Sequence, residues 1–109
     1  MLKPEEIEQL EISREQAKKA IAKGEALQRL MNSDDYQLII SEGFFKTYPT
    51  DLGLAIANNT GAYDPSVLIK TLEGINTLKG YEFKIAMNMD AAIQDLNQID
   101  ELIANSVKE

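Results

Sequence analysis

The chain has no cysteine, no histidine and no tryptophan among its 109 residues. Without cysteine there is no disulfide framework, no thiolate nucleophile and no zinc–thiolate site. Without histidine the commonest metal ligand and the usual general base are both missing. Positive charge is scarce, with 11 Lys and Arg against 18 Asp and Glu and a net charge of -7. Duplex nucleic acid and anionic membranes are held by clustered Lys and Arg, so neither is expected as a partner. A small anion held by one local Lys stays compatible with this balance. No apolar run approaches the ~20 residues of a membrane span. The N-terminus, MLKPEEIEQLE, is acidic from Glu5 onward and lacks an apolar signal core, so no export signal is expected there.

What remains is ordinary globular composition, 44% hydrophobic and 27% charged. The length suits one helical domain, residues 1–109. A chain this short, built on two long helices, has a thin core that oligomerisation would relieve.

Pro4 suits the first turn of a helix, where its missing donor costs nothing. Glutamates crowd the N-terminal half of this segment, and Lys18, Lys19, Lys23 and Arg29 the C-terminal half, which complements the helix dipole. Glu15 with Lys19 and Glu25 with Arg29 have i,i+4 spacing. Ile7, Leu10, Ala17, Ala20, Ile21, Leu27, Leu30 and Met31 recur at threes and fours, predicting an amphipathic helix to about Met31. Ser13, Ala17, Ala20 and Gly24 form a small-residue seam along it, suited to close packing of a second helix. Ser33, followed by Asp34 and Asp35, is a helix cap. The second helix is expected from Asp34 to Glu42, with Tyr36, Ile39, Ile40 and Gly43 on one side and Gly43 at its end or at a close backbone approach. Pro49 should push Tyr48 into an extended conformation. Thr50 should cap a third helix, Asp51 to about Asn58, with Leu52, Ile56 and Ala55 inward. Asn58-Asn59-Thr60-Gly61 reads as a loop.

Asp64 and Pro65 open the last helix as cap and first residue. Leu68, Leu72, Ile75, Leu78, Glu82, Ala86, Met89, Ile93, Leu96, Asp100, Ile103 and Val107 recur near 3.5 residues, so the helix is expected to reach about Ser106. Gly74 and Gly80 weaken it by about 1 kcal/mol each against Ala, and a break near Gly80 is the alternative. Its surplus turns need cover, from the two short helices and from a second subunit.

No catalytic constellation emerges. The serines sit in no nucleophile motif. Asp34 and Asp35 are adjacent and so point about 100° apart on a helix. Asp90, Asp95 and Asp100 recur every five residues, which drifts around a helix and marks a solvated face. No calcium, phosphate-loop or zinc pattern is present. The chain therefore reads as a binding protein, neither an enzyme nor a carrier of a metal or cofactor.

The candidate site is the stretch Ser33 to Pro49, SDDYQLIISEGFFKTYP, which holds four of the seven aromatics and the only basic residue between Arg29 and Lys70. Tyr36, Lys46 and Tyr48 offer two stacking faces and one cation, the minimum for a nucleotide-like anion, and stacking is worth ~1–3 kcal/mol per base. Phe44 and Phe45 serve equally as the floor of that site or as core. Asn32, Asn58, Asn59 and Thr60 offer directional hydrogen bonds.

Leu30-Met31-Asn32, Tyr36, Ile40 and Gly43-Phe44-Phe45-Lys46 resemble a pattern in small helical proteins of tailed bacteriophages, in which an L-x-N helix leads to an aromatic, an apolar residue and G-aromatic-F-K before a long charged helix. The likeness runs from Gly24 onward and departs at Thr47-Tyr48-Pro49-Thr50, where the phage pattern stays helical. It implies a phage protein in the host cytoplasm. Two roles follow from it. One is a homo-oligomeric sponge that sequesters a nucleotide-type host immune signal, with Tyr36, Phe44, Phe45, Lys46 and Tyr48 as the site. The other is a morphogenesis factor, a scaffold or assembly chaperone that contacts phage structural proteins. The expected architecture is all-α: an elongated helical hairpin or bundle of two long helices, with two short helices near one end, assembled as an oligomer.

Overall fold

Helix formation follows the caps and the periodicity closely at both ends of the chain. A computed structural model describes residues 2–58 and 64–108, and among them all regular structure is helical. The expected loop at Asn58-Asn59-Thr60-Gly61 lies outside the described residues from Asn59 onward. Helix α1 is Pro4–Met31, α2 is Asp34–Tyr36, a π-helical segment covers Gln37–Thr47, α3 is Tyr48–Ala57 and α4 is Pro65–Lys108. Ser33 caps α2 as expected: it is extended (φ -72, ψ 144) and its hydroxyl accepts from the Tyr36 N–H at 3.1 Å. Asp64 caps α4, its Oδ1 accepting from the Ser66 N–H at 3.0 Å. α4 runs unbroken through Gly74 and Gly80, so the alternative of a break at Gly80 does not hold.

The centre of the chain departs from expectation. Gly43 ends no helix, Tyr48 is helical (φ -63, ψ -48) and Thr50 lies inside α3. Helical backbone therefore continues from Asp34 to Ala57 across the segment where a break was expected. The reason is a change of register. In the π segment N–H groups bond five residues back, as Tyr48 N–H does to the Gly43 carbonyl. α3 then starts afresh, and Pro49 falls in its first turn, where a missing N–H costs nothing. The threonine hydroxyls complete the junction. Thr47 donates to the Glu42 carbonyl at 3.0 Å and Thr50 to the Lys46 carbonyl at 2.8 Å. The wider turn also moves Ile39 off the side that carries Tyr36, leaving Ile39 exposed.

The described residues belong to two compact units. In the first, Met1–Leu27 with Lys84–Glu109, α1 and the C-terminal part of α4 pack antiparallel. Gly24 abuts Met89, and Arg14 Nη2 meets Asp100 Oδ1 at 2.8 Å. The small-residue seam of α1 is the packing face here, with Ala17 and Gly24 buried. On α4 the covered positions in this unit are Ile85, Met89, Ala92, Leu96, Ile99, Ile103 and Ser106. The expected line through Ala86, Ile93, Asp100 and Val107 is off by one residue at each of those four. Both lines keep heptad spacing. The one that buries Ile85 and Ile99 wins over the one that would bury the Asp100 carboxylate. Glu15 pairs with Lys18 at 3.7 Å.

In the second unit, Gln28–Phe83, the Asp34–Ala57 stretch lies beside the N-terminal part of α4. Tyr36 reaches Glu82, and Lys79 stands over Phe45. These two contacts join that stretch to the N-terminal part of α4. Leu52 and Ile75 are buried, and Ala55 and Ile56 are half-buried.

Candidate functional site

The residues of the aromatic stretch have separate fates. Tyr36 is 7% exposed, and its hydroxyl donates a hydrogen bond to Glu82 Oε1. Burial, then the hydrogen bond and the charge of Glu82, push this hydroxyl from 10.0 up to about 12. Its ring faces are turned into the unit. Phe44, Phe45 and Tyr48 do come together: the Phe44 ring centroid lies 5.8 Å from Phe45 and 6.0 Å from Tyr48, both tilted. Lys79 Nζ stands 5.6 Å from the Phe45 centroid, a cation–π contact. Phe44 and Phe45 are half-buried, while Tyr48 is 42% exposed at the edge of the group. Lys46 is exposed and its amine lies 3.5 Å from Glu42 Oε1, one helical turn back.

Two partners here were not singled out from the sequence, Glu82 and Lys79. Glu82 carried a signal. A carboxylate on the apolar line of a long helix calls for a buried donor, and a tyrosine hydroxyl is one of few side chains that meet it without a second charge. Lys79 carried none, because cation–π contacts depend on tertiary placement.

The first unit holds an open cleft of about 530 Å³ whose floor is small: Ser13, Ala17 and Ala20 face Ala91 and Ala92, with Asp95 at its edge. It is poor in chemistry, since its remaining polar groups are amides. Among the described residues no group of three or more His, Cys, Asp or Glu is placed to hold a metal ion. Among them, too, no helix is long and apolar enough to cross a membrane.

The larger feature is uncovered apolar surface. Among the described residues, fifteen large hydrophobic side chains are exposed and eight hydrophobic residues are buried, two of those being alanines. Leu38 and Ile39, adjacent in the π segment, are 69% and 64% exposed. No family model, no curated protein and no solved structure matches the chain.

Proposed function

We propose that this is a non-enzymatic phage protein of the host cytoplasm, a morphogenesis factor that works as a homo-oligomer through helix-to-helix contacts with phage structural proteins. The excess of exposed over buried large apolar side chains carries this reading. Heptad spacing on the packed faces of both long helices suits the same use, because such helices add further helices by repeating one kind of contact.

A second reading is sequestration of a nucleotide-type host signal. Tyr48, partly exposed against Phe44, with the Lys46 amine two residues away, supports it. It ranks second because two of its three leading groups already have partners within the chain, Tyr36 with Glu82 and Lys46 with Glu42.

Native mass spectrometry of protein purified from host cells tests both, followed by pull-downs against capsid and portal proteins. The assembly reading expects a ligand-free oligomer that retains a structural protein. An oligomer carrying a nucleotide-sized mass, lost in Lys46→Ala, would replace it with sequestration. A monomer that retains neither would sink both.

A further inference from the structure

The small-floored cleft of the first unit is half of a longer groove. A second cleft of about 420 Å³, lined by Leu2, Glu5, Glu6 and Gln9, shares Leu10, Ser13 and Leu102 with it as walls. Together they run along one side of the α1–α4 pair from Leu2 to Ala20, ~27 Å at ~1.5 Å per residue. The two ends of this groove differ in size and in charge. Leu2, Leu10 and Leu102 line one end, and Ala17, Ala20, Ala91 and Ala92 the other. Leu102 is 50% exposed on the rim, a large side chain with half its surface uncovered. Glu5 and Glu6 stand at the leucine end. Beyond the alanine end the same sides of the two helices carry lysines. Lys23 follows Ala20 by three residues, and Lys84 precedes Asn88 by four. Between the ends the polar groups on the walls are amides and a hydroxyl, with Asp95 as the one charge.

Resting on the homo-oligomeric reading above, we infer that this groove docks the same groove of a second copy, with the two α1–α4 pairs related by a two-fold axis that sets them end for end. Three observations select that occupant. The first is size. A two-fold contact is self-complementary, so the leucine end of each copy meets the alanine end of the other, large side chains against small. The second is charge. The same operation sets Glu5 and Glu6 of each copy against the end where the other carries Lys23 and Lys84, so one rotation matches both differences. The third is the middle of the groove, where Asp95 lies among Ser13, Gln16 and Gln98, whose hydroxyl and amide groups can donate to it. A nucleic acid strand or an anionic lipid surface carries one sign of charge along its length and would be repelled at the Glu5–Glu6 end.

Sedimentation equilibrium on the full chain tests the contact. The wild type should be an oligomer that weakens as salt is raised. Ala91 is exposed in the groove, and Ala91→Glu should raise the apparent dissociation constant at least about 100-fold. Ile93→Glu, on the opposite side of α4 and also exposed, should leave it unchanged. Charge reversal tests the end-for-end match. Glu5→Lys/Glu6→Lys and Lys23→Glu/Lys84→Glu should each associate about 10-fold more weakly than the wild type. An equal mixture of the two should recover wild-type affinity as a mixed oligomer, identified by mass in native mass spectrometry. If Ala91→Glu does not fold, the charge variants decide alone. An oligomer that survives Ala91→Glu, or charge variants that regain nothing on mixing, overturns the inference and leaves the oligomeric reading standing. So does an Ala91→Glu oligomer that has lost only a captured structural protein, which would give the groove to that partner. A monomeric wild type overturns both.

Discussion

Gly24 of α1 and Met89 of α4 meet so closely that a Cβ built on Gly24 would stand 2.6 Å from the Met89 Cβ and in harder contact still with its Sδ. Ordinary methyl contacts begin near 3.4 Å, and here the obstacle includes an atom anchored directly to the backbone. Gly24→Ala should therefore force the helices apart and cost about 1–3 kcal/mol, read as a lower urea midpoint at unchanged slope. Gly80→Ala is the contrast. A Cβ there meets nothing within 4 Å, so the substitution should raise stability by about 0.5–1 kcal/mol through helix propensity.

The register of α4 gives a second prediction. Ile99 is buried and Ile93 is 41% exposed, although both lie on plausible heptad lines. Ile99→Ala should cost about 2–4 kcal/mol and Ile93→Ala less than about 1 kcal/mol in thermal or urea unfolding. Equal losses would contradict the observed line.

The Tyr36–Glu82 pair should make stability sensitive to alkali. The folded state keeps the hydroxyl protonated to about pH 12, whereas the unfolded chain releases it near 10.0. The unfolded state thus binds fewer protons in that window. The contribution of Tyr36 is full below about pH 10 and is lost as pH rises from about 10 to about 12. Melting temperatures of the wild type and Tyr36→Phe should therefore converge across that interval. At about pH 7 the variant should be less stable by about 1–3 kcal/mol, because it leaves the half-buried Glu82 carboxylate without its donor.

Lys46→Ala should change stability by no more than about 0.5 kcal/mol, since its ion pair with Glu42 is exposed. This makes it a safe probe for ligand binding: any loss of nucleotide retention in the variant reports on the site and not on the fold. Calorimetric titration with nucleotides, wild type against variant, makes the comparison.

What the sequence alone determined was local. Pro4, Ser33 and Asp64 set helix starts because a cap is chemistry between residues two or three apart. The small seam of α1 and the long periodicity of α4 were legible because a helix face repeats within a few residues. Tertiary structure decided what depends on distant partners. It chose between two heptad lines on α4 by burying Ile99 and leaving the Asp100 carboxylate in solvent, where it meets Arg14. It carried the helix through Tyr48 and Pro49 by a change of hydrogen-bond register, which local turn preferences do not encode. It also divided the aromatic stretch, drawing Tyr36 inward to Glu82, forty-six residues along the chain, and leaving Tyr48 at the surface. A tyrosine ring serves as core or as contact, and the partner its hydroxyl finds in the folded chain settles which.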